Sequence, residues 1–270
     1  MALIQNAKGR HGDIKQSGYY RAFRHEEIAR LLSKSQSTVI TNGNELEADC
    51  YAVMCSDPNI ITFTNGTQAS NWVNTLSDTS IVYPQTVCLS KDIYKSTVVF
   101  NTLEANIEPD FIYYKNGCFY IEEKKDGDNF DTTKSKGEVK SLKDYLELFK
   151  VAIEKYTNRT YEYYPLVCMH NQTDTQKVVS GLKNKAPYFD KTKVTSEQVS
   201  CISGQDLCKE LNIDFDNIEK TRSNDGMDNM TFFLMETINI LHGMTDMKLP
   251  DNSIELLKEI IENQKQIPYQ

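Results

Sequence analysis

Pro109-Asp110 precedes two short runs of aromatic and β-branched residues, Phe111 to Tyr114 and Cys118 to Ile121, and the second runs straight into Glu122-Glu123-Lys124-Lys125. Lys115-Asn116-Gly117 lies between them and supplies a tight turn, so the two runs read as a β-hairpin. Closing that hairpin brings Asp110 to the acidic end of the second strand, with two or three carboxylates and a lysine at neighbouring strand ends. Such a cluster is costly unless its charge is compensated, and a divalent cation is the usual compensator. The chemistry it points to is metal-assisted hydrolysis of a phosphodiester.

Alternate side chains of a strand share a face, so Glu122 and Lys124 point one way and Glu123 and Lys125 the other. Phe119 and Ile121 have the parity of Glu123, and Tyr120 has that of Glu122, so the apolar pattern leaves both registers open. A Glu-x-Lys arises by chance about once in a chain of this length. Its weight here comes from Asp110 and the hairpin. His25 and His170 could act as bases, and the amides of Asn171 and Gln172 could read adenine, although a polar loop is the more common explanation. Asn224-Asp225-Gly226 reads as a turn, and Tyr161, Tyr163 and Tyr164 as sheet packing. No nucleophile elbow, phosphate-binding glycine loop or dinucleotide fingerprint is present.

The elements that must position these groups follow from periodicity. The spacing predicts a helix over Tyr19 to Ser33, a turn at Asn42-Gly43-Asn44 and a helix over Glu45 to Cys55 with Leu46, Cys50, Val53 and Met54 on its apolar side. Asn59 to Thr64 and Ser80 to Tyr83 read as short strands around a helix near Gln68 to Leu76. Lys136 to Tyr156 carries the longest helical pattern and should cover a sheet, and Tyr161 to Met169 reads as a buried strand. Beyond it come a short strand at Val199 to Ile202, a turn at Ser203-Gly204 and helices over Gln205 to Leu211, Asp228 to Leu241 and Ser253 to Gln264. No linker or repeat divides the chain. The expectation is a single α/β domain over residues 1–270, a central mixed β-sheet flanked by helices, with a core at about 40–170 and a helical C-terminal elaboration at about 171–270.

Composition narrows the partners. The chain has 270 residues and no apolar run near the roughly 20 residues that span a bilayer, so no membrane association is expected. Residues 1–15 are polar and lack the apolar stretch of an export signal, and the seven cysteines stand singly, which together suggest reduced thiols and a cytoplasmic protein. A net charge of −8 argues against generic phosphate binding, yet Lys124, Lys125, Lys134, Lys136, Lys140 and Lys143 are concentrated in one stretch. That stretch is either a phosphate-contacting surface or a solvated helix face.

Pro109-Asp110, the segment from Glu122 through Gly127-Asp128-Asn129-Phe130-Asp131-Thr132 to Glu138, and Gly43-Asn44-Glu45-Leu46-Glu47 together resemble the PD-(D/E)XK nuclease superfamily, and within it the type II restriction endonucleases. These stretches cover about a tenth of the chain. Lys124 stands where that family usually has an apolar residue, which keeps the Glu122/Lys124 register in play beside Glu123/Lys125. The resemblance implies a restriction-endonuclease-like fold in which Asp110 and Glu123 hold Mg²⁺, Glu47 assists, and Lys125 positions the attacking water. It implies cleavage of double-stranded DNA to 5′-phosphate ends by a bacterial, cytoplasmic homodimer. Lys134, Lys136 and Lys140 would then touch DNA phosphates. A repair or mobile-element nuclease of the same fold, or a non-catalytic DNA-binding protein, are the alternatives.

Overall fold

The computed structural model describes residues 3–9, 13–101, 103, 108–126, 135–172, 189–191, 198–243, 255 and 259. Among them the helices are α1 (Leu3–Asn6), α2 (Gly18–Phe23), α3 (Glu26–Ser56), α4 (Gly66–Thr75), α5 (Lys91–Lys95), α6 (Ser135–Thr157), α7 (Gly204–Leu211) and α8 (Phe215–Gly243). The strands are β1 (Ile60–Ile61), β2 (Thr86–Ser90), β3 (Phe111–Lys115), β4 (Cys118–Lys125), β5 (Glu162–Met169) and β6 (Ser200–Ser203). Two compact units result, one comprising Leu46–Ile218 and the other Met1–Glu45 with Glu219–Gln270.

The first unit is built on one six-stranded sheet in the order β1-β2-β3-β4-β5-β6. Strand β1 runs parallel to β2, β2–β3 and β3–β4 are antiparallel, and β4–β5 and β5–β6 are parallel. The fold is therefore α/β with a mixed sheet, as the alternation of strand and helix patterns predicts. The β3–β4 turn works because Asn116 and Gly117 take positive φ values of 51° and 82°, as a two-residue hairpin loop requires. Parallel pairing of β4 with β5 needs a crossover, and α6 lies in that connection.

Period-two alternation sends side chains to two apolar layers. Val87, Leu89, Ile112, Tyr114, Phe119 and Ile121 join Trp72 and Val73 of α4 and Leu142, Phe149 and Ile153 of α6. Phe111, Tyr113, Tyr120, Leu166 and Cys168 join Leu46, Cys50, Val53 and Met54 of α3 and Leu207 and Leu211 of α7. Both faces of the sheet are thus covered, which is why its strands read as nearly unbroken apolar runs. Tyr161 and Tyr163 pack edge-to-face on Phe119 and Phe149, the packing role expected for that cluster. All seven cysteines are free thiols, and all but Cys55 are buried.

In the second unit Ile4 and Leu31 are buried with Phe232, Phe233 and Ile240, and the Ile4 N–H donates to Asn229 Oδ1 at 3.0 Å. The helix expected over Tyr19–Ser33 is in fact two. Ser17 caps α2 by accepting the Tyr20 N–H, Arg24 ends it in the left-handed region at φ 53°, and α3 restarts at Glu26.

Four further expectations need correction. Asn42-Gly43-Asn44 lies inside α3, and Asn224-Asp225-Gly226 inside α8, so neither is a turn. A glycine costs a helix only about 1 kcal/mol against alanine, less than breaking the backbone hydrogen-bond ladder on both sides of it. Ser80–Tyr83 is not a strand: Asp78 accepts the Ser80 N–H and hydroxyl and fixes a turn, Val82 is 77% exposed, and the strand begins later, at Thr86. Ser203-Gly204 is a strand-to-helix junction, with Ser203 Oγ capping the Asp206 N–H. Gly204 is needed there because a Cβ would come within 2.7 Å of the His170 carbonyl. The helix expected over Ser253–Gln264 lies outside the described residues apart from Glu255 and Glu259. No helix among the described residues is long and apolar enough to cross a membrane.

Candidate active site

The β3–β4 ladder ends at the pair Phe111↔Glu122, whereas β4 continues beside β5 through Glu123↔Val167 and Lys124↔Cys168 to Lys125↔Met169. The last three residues of β4 therefore lack a paired β3 neighbour, and Asp110 stands where that neighbour would begin. Its N–H donates to the Glu122 carbonyl at 2.8 Å, and its Oδ2 accepts the Lys124 N–H at 2.7 Å. The preceding Pro109 carbonyl is held by the Tyr94 hydroxyl of α5 at 2.6 Å. Tyr94 in turn packs edge-on against Tyr145 of α6. The Pro-Asp step is thus fixed by helices on the α6 side of the sheet.

Asp110 has the parity of Ile112 and Tyr114, and Glu123 and Lys125 that of Phe119 and Ile121, so all three belong to the α6 face. Lys125 Nζ lies 2.5 Å from Glu123 Oε1 and 3.5 Å from Glu138 Oε1 on the first turn of α6. Burial pushes the Asp110 carboxyl up to about 8, reinforced by the negative charges of Glu123 and Glu47 and only partly offset by the Lys124 N–H. Burial also raises Glu123, against the pull of Lys125, while Glu138 adds to the rise. Glu47 on α3 is raised by burial and by Glu123, with Lys91 opposing. The Lys125 ammonium is raised: burial works against the charge, and Glu123 with Glu138 outweighs it.

Glu122 and Lys124 occupy the other face. Their side chains are 0% and 4% exposed, and Lys124 Nζ lies 2.7 Å from Glu122 Oε1 within the layer formed by α3 and α7. The Tyr113 hydroxyl donates to Glu122 Oε2 at 2.7 Å. The geometry thus brings Asp110, Glu123 and Lys125 together at the end of β4, with Glu47 linked to them through its charge, and closes the Glu122–Lys124 pair into the core.

Glu138 and Lys91 were not singled out as site residues by sequence reasoning. Glu138 closes the acidic and basic stretch that follows the hairpin, and its place in the first helical turn was the available signal. Lys91 follows β2 directly, and neither that strand nor the helix after it stands out in the local pattern. Of the three candidate phosphate contacts, Lys134 lies outside the described residues, Lys136 is in the first turn of α6, and Lys140 is exposed and ion-paired with Asp144 at 3.8 Å. His25 accepts the Ile28 N–H at the start of α3. His170 is buried against Phe215, and its N–H donates to the Lys125 carbonyl at 2.9 Å. The Asn171 amide donates to the carbonyl and side chain of Asp126, at 2.7 and 2.8 Å. These bonds brace the end of β4 just beyond Lys125.

Oxygen donors on two or three carboxylates suit a hard cation such as Mg²⁺, which takes one or two carboxylates and completes its shell with water and phosphate. The upward shift of Asp110 is the observation that fits: a buried, mutually repelling carboxylate pair gains most from a cation. Among the described residues no three His, Cys, Asp or Glu side chains form a ready-made metal cluster.

The chain thus presents an acid-acid-lysine group where two strands part, on a mixed sheet flanked by helices. Comparison with known proteins gives the family. The chain is 32% identical over 247 residues to the type II restriction enzyme HhaII of Haemophilus parahaemolyticus, an alignment covering 89% of this chain and 95% of that protein. The chain belongs to this type II restriction enzyme family. No family model matches it, and no solved structure matches it.

Proposed function

We propose that the protein is a Mg²⁺-dependent, sequence-specific endonuclease that hydrolyses both strands of double-stranded DNA and leaves 5′-phosphate ends. The observation that carries this reading is the meeting of Asp110, Glu123 and Lys125 at the open end of β4, in a chain that belongs to a restriction enzyme family. Asp110 and Glu123 would hold the ion, with Glu47 completing or steadying its surroundings. When bound, Mg²⁺ supplies a Lewis acid for the phosphoryl oxygen and lowers the pKa of water.

The remaining work falls to the chain's own side chains. Lys125 is held charged between Glu123 and Glu138, and it orients the attacking water and offsets the charge that develops on the phosphate. The Lys124 N–H keeps the Asp110 carboxylate turned toward Glu123. Lys134, Lys136 and Lys140 contact the DNA backbone, where they fix position without reading sequence. Two copies acting about a two-fold axis are the simplest way to cut both strands of a palindromic site, so the active species is a homodimer.

Digestion of phage DNA tests the reading. Discrete fragments with Mg²⁺, none with EDTA, and ends that ligate without added phosphate are expected. Intact DNA under every metal condition would leave a DNA-binding protein instead.

A further inference from the structure

We infer that the buried Glu122–Lys124 pair is a positioning device for Asp110, acting through the backbone of β4. The inference rests on the reading of Asp110 as a ligand of the catalytic ion. Asp110 is bonded to exactly these two residues' main chains: its N–H to the Glu122 carbonyl at 2.8 Å, and its Oδ2 to the Lys124 N–H at 2.7 Å. The side chains of the same two residues turn away from the site and close on each other at 2.7 Å. Around them, the Tyr113 hydroxyl of β3 donates to Glu122 Oε2 at 2.7 Å, Lys124 Nζ lies 3.8 Å from Cys168 Sγ of β5, and the Phe111 ring is 5.9 Å from Nζ. The pair is therefore tied to both strands that flank β4.

A buried ion pair is a poor way to gain stability, since apolar side chains of similar volume often serve as well or better. What it supplies is direction. Each charge needs its one partner, so β4 cannot slip or rotate about its axis without stranding a charge in the core. A slip by one residue would carry Lys125 into the α3 layer and Lys124 out to the site. Asp110 needs such a restraint because its carboxylate takes its hydrogen bond from the Lys124 N–H, so its position follows that of the β4 backbone. Glu122 and Lys124 thus act as positioning residues, with no contact of their own to the reacting groups.

The test is the double variant Glu122→Leu with Lys124→Met, which exchanges the pair for apolar groups and leaves no charge stranded. Folding is checked by circular dichroism and melting, DNA affinity with Ca²⁺ on a fragment that the wild type cuts, and metal affinity by electron paramagnetic resonance of Mn²⁺ added to the protein alone. The expected result is a folded protein with unchanged DNA affinity, about tenfold weaker Mn²⁺ binding and cleavage about a hundredfold slower. A folded double variant within about twofold of the wild type in rate and Mn²⁺ affinity overturns the inference, as does a loss of DNA affinity as large as the loss of rate. If the double variant does not fold, Tyr113→Phe decides, since it removes one hydroxyl and keeps both charges. About threefold weaker Mn²⁺ binding is then expected, and wild-type Mn²⁺ binding overturns the inference. Failure of the underlying reading would show separately, as wild-type cleavage by Asp110→Ala.

Discussion

Strand β4 carries the same two-residue chemistry twice, one residue apart, and the two copies have opposite surroundings. Glu123 and Lys125 meet at 2.5 Å with side chains 12% and 26% exposed, beside Asp110, Glu138 and the raised carboxyl of Glu47. Glu122 and Lys124 meet at 2.7 Å in a closed apolar layer, with Tyr113 and Cys168 as their polar neighbours. On one face negative charge exceeds positive charge and solvent can enter. On the other the charges cancel and solvent is shut out. The difference teaches that a Glu-x-Lys has no fixed role: an unbalanced, reachable group is equipped to take a cation, whereas a balanced, enclosed one can only hold its strand in place.

The strongest way to break that comparison is to delete one lysine from each face. Lys125→Ala should lower cleavage by about a thousandfold or more while the protein melts near the wild-type temperature, because a water-orienting and charge-stabilising group is lost from an accessible site. Asp110→Ala should behave alike. Retained cleavage in Lys125→Ala, with loss in a folded Lys124→Ala, would exchange the roles of the two faces. Lys124→Ala should instead cost about 3–5 kcal/mol of stability, since it breaks a buried ion pair and leaves Glu122 in the core without its cationic partner. Urea denaturation reads that loss directly, and a stability equal to that of Lys125→Ala would end the contrast.

A smaller effect comes from pH in the absence of metal. Asp110 is raised from 3.8 to about 8 in the folded protein, so its ionised form is disfavoured there relative to the unfolded chain. The sign follows: this carboxylate takes nothing from stability below its unfolded value and destabilises increasingly as pH rises through about 8. In EDTA the wild type should therefore lose more stability between about pH 6 and about pH 8.5 than Asp110→Asn does, and Mg²⁺ should recover most of the difference. Identical pH dependence in the two proteins would show that Asp110 is not under this electrostatic load.

Smallest of all, Lys140→Ala should weaken DNA binding a few-fold and lower the salt dependence by about one unit of slope. An unchanged slope would return Lys140 to its ion pair with Asp144 and remove it from the DNA surface.

Much of the scaffold was legible from local pattern. The hairpin from Phe111 to Lys125 needs only an Asn-Gly turn and two apolar runs, and α6 and β5 announce themselves by period and composition. Helix α3 runs through Asn42-Gly43-Asn44 although that segment has the composition of a turn, and composition does not weigh the hydrogen bonds of the helix around it. Ser80–Tyr83 has the β-type composition of a strand in Ile81-Val82-Tyr83 but does not lie on the sheet, and Thr86–Ser90, which does, carries no stronger local pattern. Lys91 was lost with it. The dual register was undecidable locally, since both faces of β4 carry aromatic and aliphatic residues.

The sequence by itself determined that Asp110 and a Glu-Lys doublet would share one end of a hairpin, because a tight turn and strand periodicity are local properties. It determined the α/β class for the same reason. Which lysine faces the carboxylates and which is enclosed was decided only when α3 and α7 covered one side of the sheet and α6 the other. Burial and the long-range meeting of charges belong to packing between distant segments, and no window along the chain contains them.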